Sequence, residues 1–230
     1  MAAALGRAGW DVALLGRDDD VAGAAAGVDL LLIATPDAAI AEVAAAVAPA
    51  EHTVVAHMAG SLGIDVLAPH TRRAAIHPLV SMPSTTVGAE RLAAGAWFAV
   101  AGDPLAGRVV EDLGGRSVTV ADADRAAYHA AACIASNHVV ALLGQVERAA
   151  AGTGVPFQAY LDLARDTVAN VSSLGPAGAL TGPAARGDTA TVARHLAALD
   201  PAERPAYQAM AELARRLATA PPAASDDRNR

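Results

Sequence analysis

The segment 122–151, DADRAAYHAAACIASNHVVALLGQVERAAA, constrains this chain more than any other. It runs without a proline and with one interior glycine, Gly144. Tyr128, Ala132, Ala135, Val139, Leu142 and Val146 recur at the spacing of one helix face, so the segment is expected to be a single long amphipathic helix. Asp122 or Asp124 can cap its start, and Gly152 lies just past its end. A second stripe, at four-residue intervals, carries His129, Cys133 and Asn137. Polar groups so placed on a mostly buried helix either satisfy one another or line a site.

Before this segment, short apolar runs alternate with helical stretches of about ten residues. Strands are expected at 10–15, 28–34, 53–57, 74–76, 97–100 and 117–120, with helices at 38–48, 62–68 and 104–113. Residues 28–34 (VDLLLIA) form a continuous apolar run, as in a strand covered on both faces of a parallel sheet. The pattern predicts an α/β fold, a Rossmann-like, doubly wound parallel sheet. Its turns at Arg17, Thr35, Gly60 and His77 all follow strand C-termini, the edge where such sheets bind ligands.

After Ala121 only helical periods remain, at 122–151, 156–173, 188–198 and 202–218. The expected organisation is a dinucleotide-type domain at 1–121, an all-α domain at 122–219 and a disordered Pro/Ala/Ser/Asp/Arg tail at 220–230. Residues 174–188 hold two prolines and four glycines, which fix a particular backbone path, and Asp188 is placed to cap the next helix.

Composition narrows the chemistry. All 17 basic residues are arginines and the net charge is −7, without a basic stripe, which argues against nucleic acid as a partner. Cys133 is the only cysteine, so neither an intrachain disulfide nor a cysteine-based zinc site is available, and no metal is expected. No apolar run is expected to reach the roughly 20 residues of a membrane helix, and no targeting segment is evident. The reading is a cytoplasmic protein without a membrane partner.

The residues leave alternatives open. Arg17 follows the second strand, where arginine suits the 2′-phosphate of NADP, yet a solvated surface arginine fits equally. Thr35-Pro36-Asp37 is either a cofactor turn or only a helix cap. His57 and His77 each end a strand and are either structural or part of a site. Asn137 can hold a carbonyl or bond across an interface. Arg186 can take a carboxylate bidentately or lie on the surface. The G-x-G-x-x-G fingerprint of dinucleotide sheets is absent, since neither Gly6 nor Gly9 forms it.

Tyr128-His129-Ala130-Ala131-Ala132 with Ala135-Ser136-Asn137, and Leu180-Thr181-Gly182-Pro183 with Arg186-Gly187-Asp188, carry a resemblance. Pro36-Asp37, His57 with Gly60, and His77-Pro78-Leu79 support it. The chain resembles Rossmann-like proteins with a C-terminal helical domain of unknown function, in the 6-phosphogluconate dehydrogenase-like superfamily. The resemblance implies NADP as cofactor, a homodimer through the helical domain, and a small-molecule substrate; some relatives are regarded as an alternative ketopantoate reductase. It implies cofactor contacts at Arg17, Thr35, Pro36 and Gly60, and substrate contacts at Thr181 and Arg186. Asn137 would orient the substrate carbonyl, and His77 or His129 would supply a proton. Related dehydrogenases have a lysine where this chain has Cys133, and the glycine-rich first strand and loop are missing. Two expectations follow: a reductase of a small 2-keto acid, or a catalytically inert dimeric binding protein. A further expectation is that Met1 is an internal methionine, with the missing strand and G-x-G-x-x-G encoded upstream.

Overall fold

A computed structural model describes residues 1–219; the tail expected from residue 220 lies outside the described residues. The chain divides into two compact units, Met1–Ser136 and Asn137–Arg230, so the division falls beyond Ala121 and inside the long helical segment. The reason is local. Residues 122–133 are fastened to the sheet unit by side chains described below.

The first unit holds a five-stranded sheet: β1 Leu30–Ile33, β2 Val54–His57, β3 Arg73–Pro78, β4 Trp97–Gly102 and β5 Arg116–Thr119. The strands lie side by side in chain order. β1, β2 and β3 are parallel, as are β4 and β5, but β3 and β4 run antiparallel. The sheet is therefore mixed rather than wholly parallel. Successive β2 side chains point to opposite faces. Val54 and Ala56 join a core with Leu5, Ile76, Phe98 and Val109, while Val55 joins Ile33, Ile40 and Leu67 on the other side. Helices α1 (Ala2–Arg7), α2 (Ile40–Ala46), α3 (Thr85–Ala93) and α4 (Leu105–Asp112) cover these faces. α3 was not legible from apolar spacing; its start is set by Ser84, whose hydroxyl accepts from the Val87 N–H at 3.3 Å.

The strand expected at 10–15 does not form. Among the described residues β1 pairs only with β2, and no ladder reaches 10–15. An apolar run without a hydrogen-bonding neighbour gains nothing from strand geometry, and Leu14 and Leu15 stand 78% and 50% exposed.

The segment expected as one helix is a composite: a 3₁₀ turn at Asp122–Asp124, α5 at Arg125–Cys133, a π turn at Ile134–His138, and α6 at Val139–Ala150. Gly152 ends it at φ 83°. Contrary to the sequence expectation, the run Asp122–Ala150 is long and apolar enough to cross a bilayer by length and composition. Asp122, Asp124 and Arg125 in its first turns, and His129, Asn137 and Gln145 along it, are polar groups that a lipid-facing span disfavours.

The second unit continues with α7 (Phe157–Ala179), α8 (Thr189–Ala198) and α9 (Arg204–Thr219). α7 breaks at Gly175 (φ 71°), a left-handed conformation that glycine adopts without a Cβ penalty, and Pro176 follows it. Asp188 caps α8 as expected, accepting from the Thr191 N–H at 2.9 Å and the Thr191 hydroxyl at 2.7 Å. None of α6 to α9 contains a buried residue.

Candidate active site

Parallel strands deliver their C-terminal turns to one edge. β1 and β2 are in register with Ile33 opposite His57, and β2 and β3 with His57 opposite Ala75. At that edge a cavity of about 270 Å³ is lined by Thr35, Asp37, Met58, Ala59, His77 and Met82, among others. Thr35 Oγ is buried there and, among the described residues, has no hydrogen-bond partner. A buried hydroxyl left unpaired costs about 1–3 kcal/mol, and this one keeps both a donor and an acceptor unused. The Ser61 hydroxyl donates to Asp37 at 3.3 Å, joining the turns after β1 and β2.

His57 is a structural histidine. It is fully buried, its Nδ1 accepts from the Ala59 N–H at 3.1 Å, and its Nε2 lies 3.2 Å from the Gly63 carbonyl. Since Nδ1 accepts, Nε2 carries the proton and donates. Burial lowers its pKa, against the opposing bond to Gly63. The ring ties down the loop 58–63.

His77 is different, because it is only half-buried and lines the cavity. Its Nδ1 lies 2.6 Å from the Tyr128 hydroxyl, and the two rings meet edge to face with centroids 5.5 Å apart. His129 meets it in the same manner at 5.8 Å. Burial first, then His129 and Arg125, push the His77 pKa down to about 4. Gly60 is what allows these rings to approach the loop. A Cβ on it would stand 2.5 Å from His129 Cδ2 and 2.9 Å from His77 Nε2. Behind His129, Cys133 Sγ lies 4.0 Å from Nε2, so these two members of the four-residue stripe face each other.

Asp122 docks this helix on the sheet unit. Its carboxylate accepts from the Ile64 N–H at 3.1 Å and from Arg125 Nε at 3.3 Å. Arg125 is wholly buried, and its Nη1 and Nη2 find no partner among the described residues. Asp122 thus acts on the loop and on Arg125 instead of capping its own helix.

The residues expected to form the site are placed as follows. Thr35, Gly60, His77 and His129 come together at the sheet edge. Pro36 borders it and is exposed, and Arg17 is exposed in a turn where the Gly16 N–H donates to Asp19 at 2.5 Å. Asn137, Thr181 and Arg186 belong to the second unit, all exposed. Asn137 sits in the π turn, where the backbone leaves the 3.6-residue repeat on which its stripe was read. Tyr128 and Arg125 were missed as site residues. The available signal was Tyr128 immediately before His129, one residue off the polar stripe.

A mixed α/β sheet with polar strand ends, followed by an all-helical half, defines a Rossmann-like protein with a helical C-terminal domain. The chain belongs to the family described as Domain of unknown function (DUF2520), whose profile matches residues 98–214, just over half its length. A Rossmann-like domain profile matches residues 15–83. Among solved structures it is similar to protein TM1727 from Thermotoga maritima, at 25% identity and TM-score 0.67, over 81% of this chain and 77% of that one. It is similar in fold to a reductive aminase from Aspergillus terreus in complex with NADPH and ethyl-5-oxohexanoate, at 16% identity and TM-score 0.60, over 84% and 75% of the two chains. It is also similar in fold to pyrroline carboxylate reductase from Plasmodium falciparum with NADP bound, at 11% identity and TM-score 0.52, over 95% and 94%. No curated protein matches the chain by sequence.

Proposed function

We propose that this protein is an NADP-dependent reductase of a small carbonyl compound, with a 2-keto acid as the substrate class. The observation that carries the reading is the cavity at the strand ends, which joins an unpartnered buried hydroxyl, Thr35, to an imidazole, His77, held by a second ring. Thr35 fits the nicotinamide end of the cofactor, and when bound that ring supplies a hydride to the carbonyl carbon. NADPH and NADP in two solved relatives of like fold support this choice. Asn137 and Arg186 keep the carbonyl-orienting and carboxylate-binding roles that the family resemblance implies, and ketopantoate is the first substrate to try. The test is NADPH oxidation followed at 340 nm with a panel of 2-keto acids. Turnover on any of them supports the reading, and none on the whole panel favours the inert binding protein.

A homodimer through the helical unit is part of the proposal. Leu163, Val168 and Leu174 of α7 are 62–64% exposed, and a helix layer with an apolar stripe needs a surface to bury it. Sedimentation should give about twice the 23.0 kDa chain mass. A monomer at micromolar concentration would contradict it.

A further inference from the structure

We infer that Tyr128 is the positioning residue behind the proton donor: its hydroxyl donates to His77 Nδ1, so that a neutral His77 presents Nε2–H to the substrate oxygen. This rests on the reductase reading above. The Tyr128 hydroxyl lies 2.6 Å from Nδ1. A phenol is the more acidic donor and a neutral imidazole nitrogen the stronger acceptor, so in this contact Tyr128 donates, Nδ1 accepts, and the ring proton is on Nε2. Nε2 makes no hydrogen bond among the described residues and lies beside Gly60, whose missing side chain leaves the ring its place.

The surroundings hold the ring in that form. His129, Arg125 and Tyr128 face it from α5, Asp37 from the turn after β1, and His57 from β2. His129, Arg125 and His57 disfavour a cation there, while Asp37 favours one, and burial adds to the first group. An imidazolium donor is thus scarce near neutrality, whereas a neutral Nε2–H is present throughout. A neutral imidazole acting as electrophile is an established catalytic strategy.

The atoms balance simply. As hydride reaches the carbonyl carbon, the C=O π pair moves to oxygen, and that oxygen takes the Nε2 proton. Nδ1 takes the Tyr128 proton in the same movement, which leaves the ring neutral in its other tautomer. The charge rests on the tyrosinate, which solvent reprotonates. Burial raises the Tyr128 pKa and opposes this, but Arg125 lowers it. The buried guanidinium, with Nη1 and Nη2 unpartnered, supplies the compensating charge.

The experiment uses the full chain labelled with ¹⁵N at histidine, as parent and as Tyr128→Phe. Imidazole ¹⁵N shifts should show parent His77 neutral and protonated on Nε2 from pH 5.5 to 8.5. Tyr128→Phe should lose that preference and mix the two tautomers. With ketopantoate and NADPH, Tyr128→Phe should lower kcat roughly 10²-fold with KM unchanged. A parent His77 that is charged at pH 6 or protonated on Nδ1 overturns the inference, as does a variant whose shifts match the parent. If Tyr128→Phe misfolds, the parent spectrum alone decides the tautomer. An inactive parent with the expected shifts overturns the reductase reading and its proton step while leaving the dyad's protonation established.

Discussion

The Tyr128 hydroxyl lies 2.6 Å from His77 Nδ1, with the two rings at 88°. The contact crosses from a sheet strand to the helix that follows the sheet, and it fixes an imidazole whose pKa is pushed from 6.5 to about 4. Between those values the unfolded chain binds a proton that folded His77 does not. Stability therefore falls as pH is lowered from about 6.5 to about 4, and the loss is complete below that. His57, whose pKa is also lowered, acts in the same direction. Thermal melts from pH 7.5 to 4 should show the decline, and His77→Gln should remove part of it. An unchanged slope in His77→Gln would place His77 in solvent.

Gly60 and Gly144 should respond oppositely to alanine. At Gly60 the new Cβ meets two imidazoles at 2.5 and 2.9 Å. Displacing them should cost about 1–3 kcal/mol and lower turnover together. At Gly144, inside α6, the nearest atom is Arg148 Nη1 at 3.5 Å. There the better helix former should add about 0.5–1 kcal/mol. Calorimetry on the two variants checks both signs.

Much of this arrangement was legible in the sequence. Continuous apolar runs gave β1 and β2, and the turns after them marked the edge that holds the cavity. Helical spacing put His129 and Cys133 on one stripe but did not say whether they would meet each other or a ligand. What periodicity cannot report is pairing. Nothing in residues 10–15 says whether a neighbour exists for them, and nothing in 74–100 says that β4 turns back against β3. Arg125 escaped for another reason: an arginine in a first helical turn reads as solvated, and only burial reveals that two of its nitrogens lack partners.

Arg125→Met tests that burial. Replacing a buried, underpaired guanidinium by an apolar side chain of similar length is often neutral or stabilising by about 1–4 kcal/mol. The variant should melt no lower than the parent, yet its His77 should titrate higher, because Arg125 is one cause of the lowered pKa. A large stability loss would mean that the Asp122 contact outweighs the desolvation of the charge.

Asn137→Ala should lower turnover far more than melting temperature, since the residue is exposed and its removal leaves no cavity. Arg186→Lys should weaken keto-acid binding at saturating NADPH, because an ammonium cannot make two parallel bonds to a carboxylate. Equal kinetics in parent and variant would remove either residue from the reaction.

In the proposed reductase, the strand-end cavity receives the nicotinamide end of NADPH. The direct measurement is a fluorescence titration of NADPH into the parent and into Thr35→Val. Saturable binding is expected in the parent. Losing the unpartnered hydroxyl should weaken that binding about 3- to 10-fold without lowering the melting temperature, since no protein bond is lost. A parent that binds no NADPH at millimolar concentration, or a Thr35→Val variant that binds as tightly as the parent, would remove the nicotinamide from this cavity.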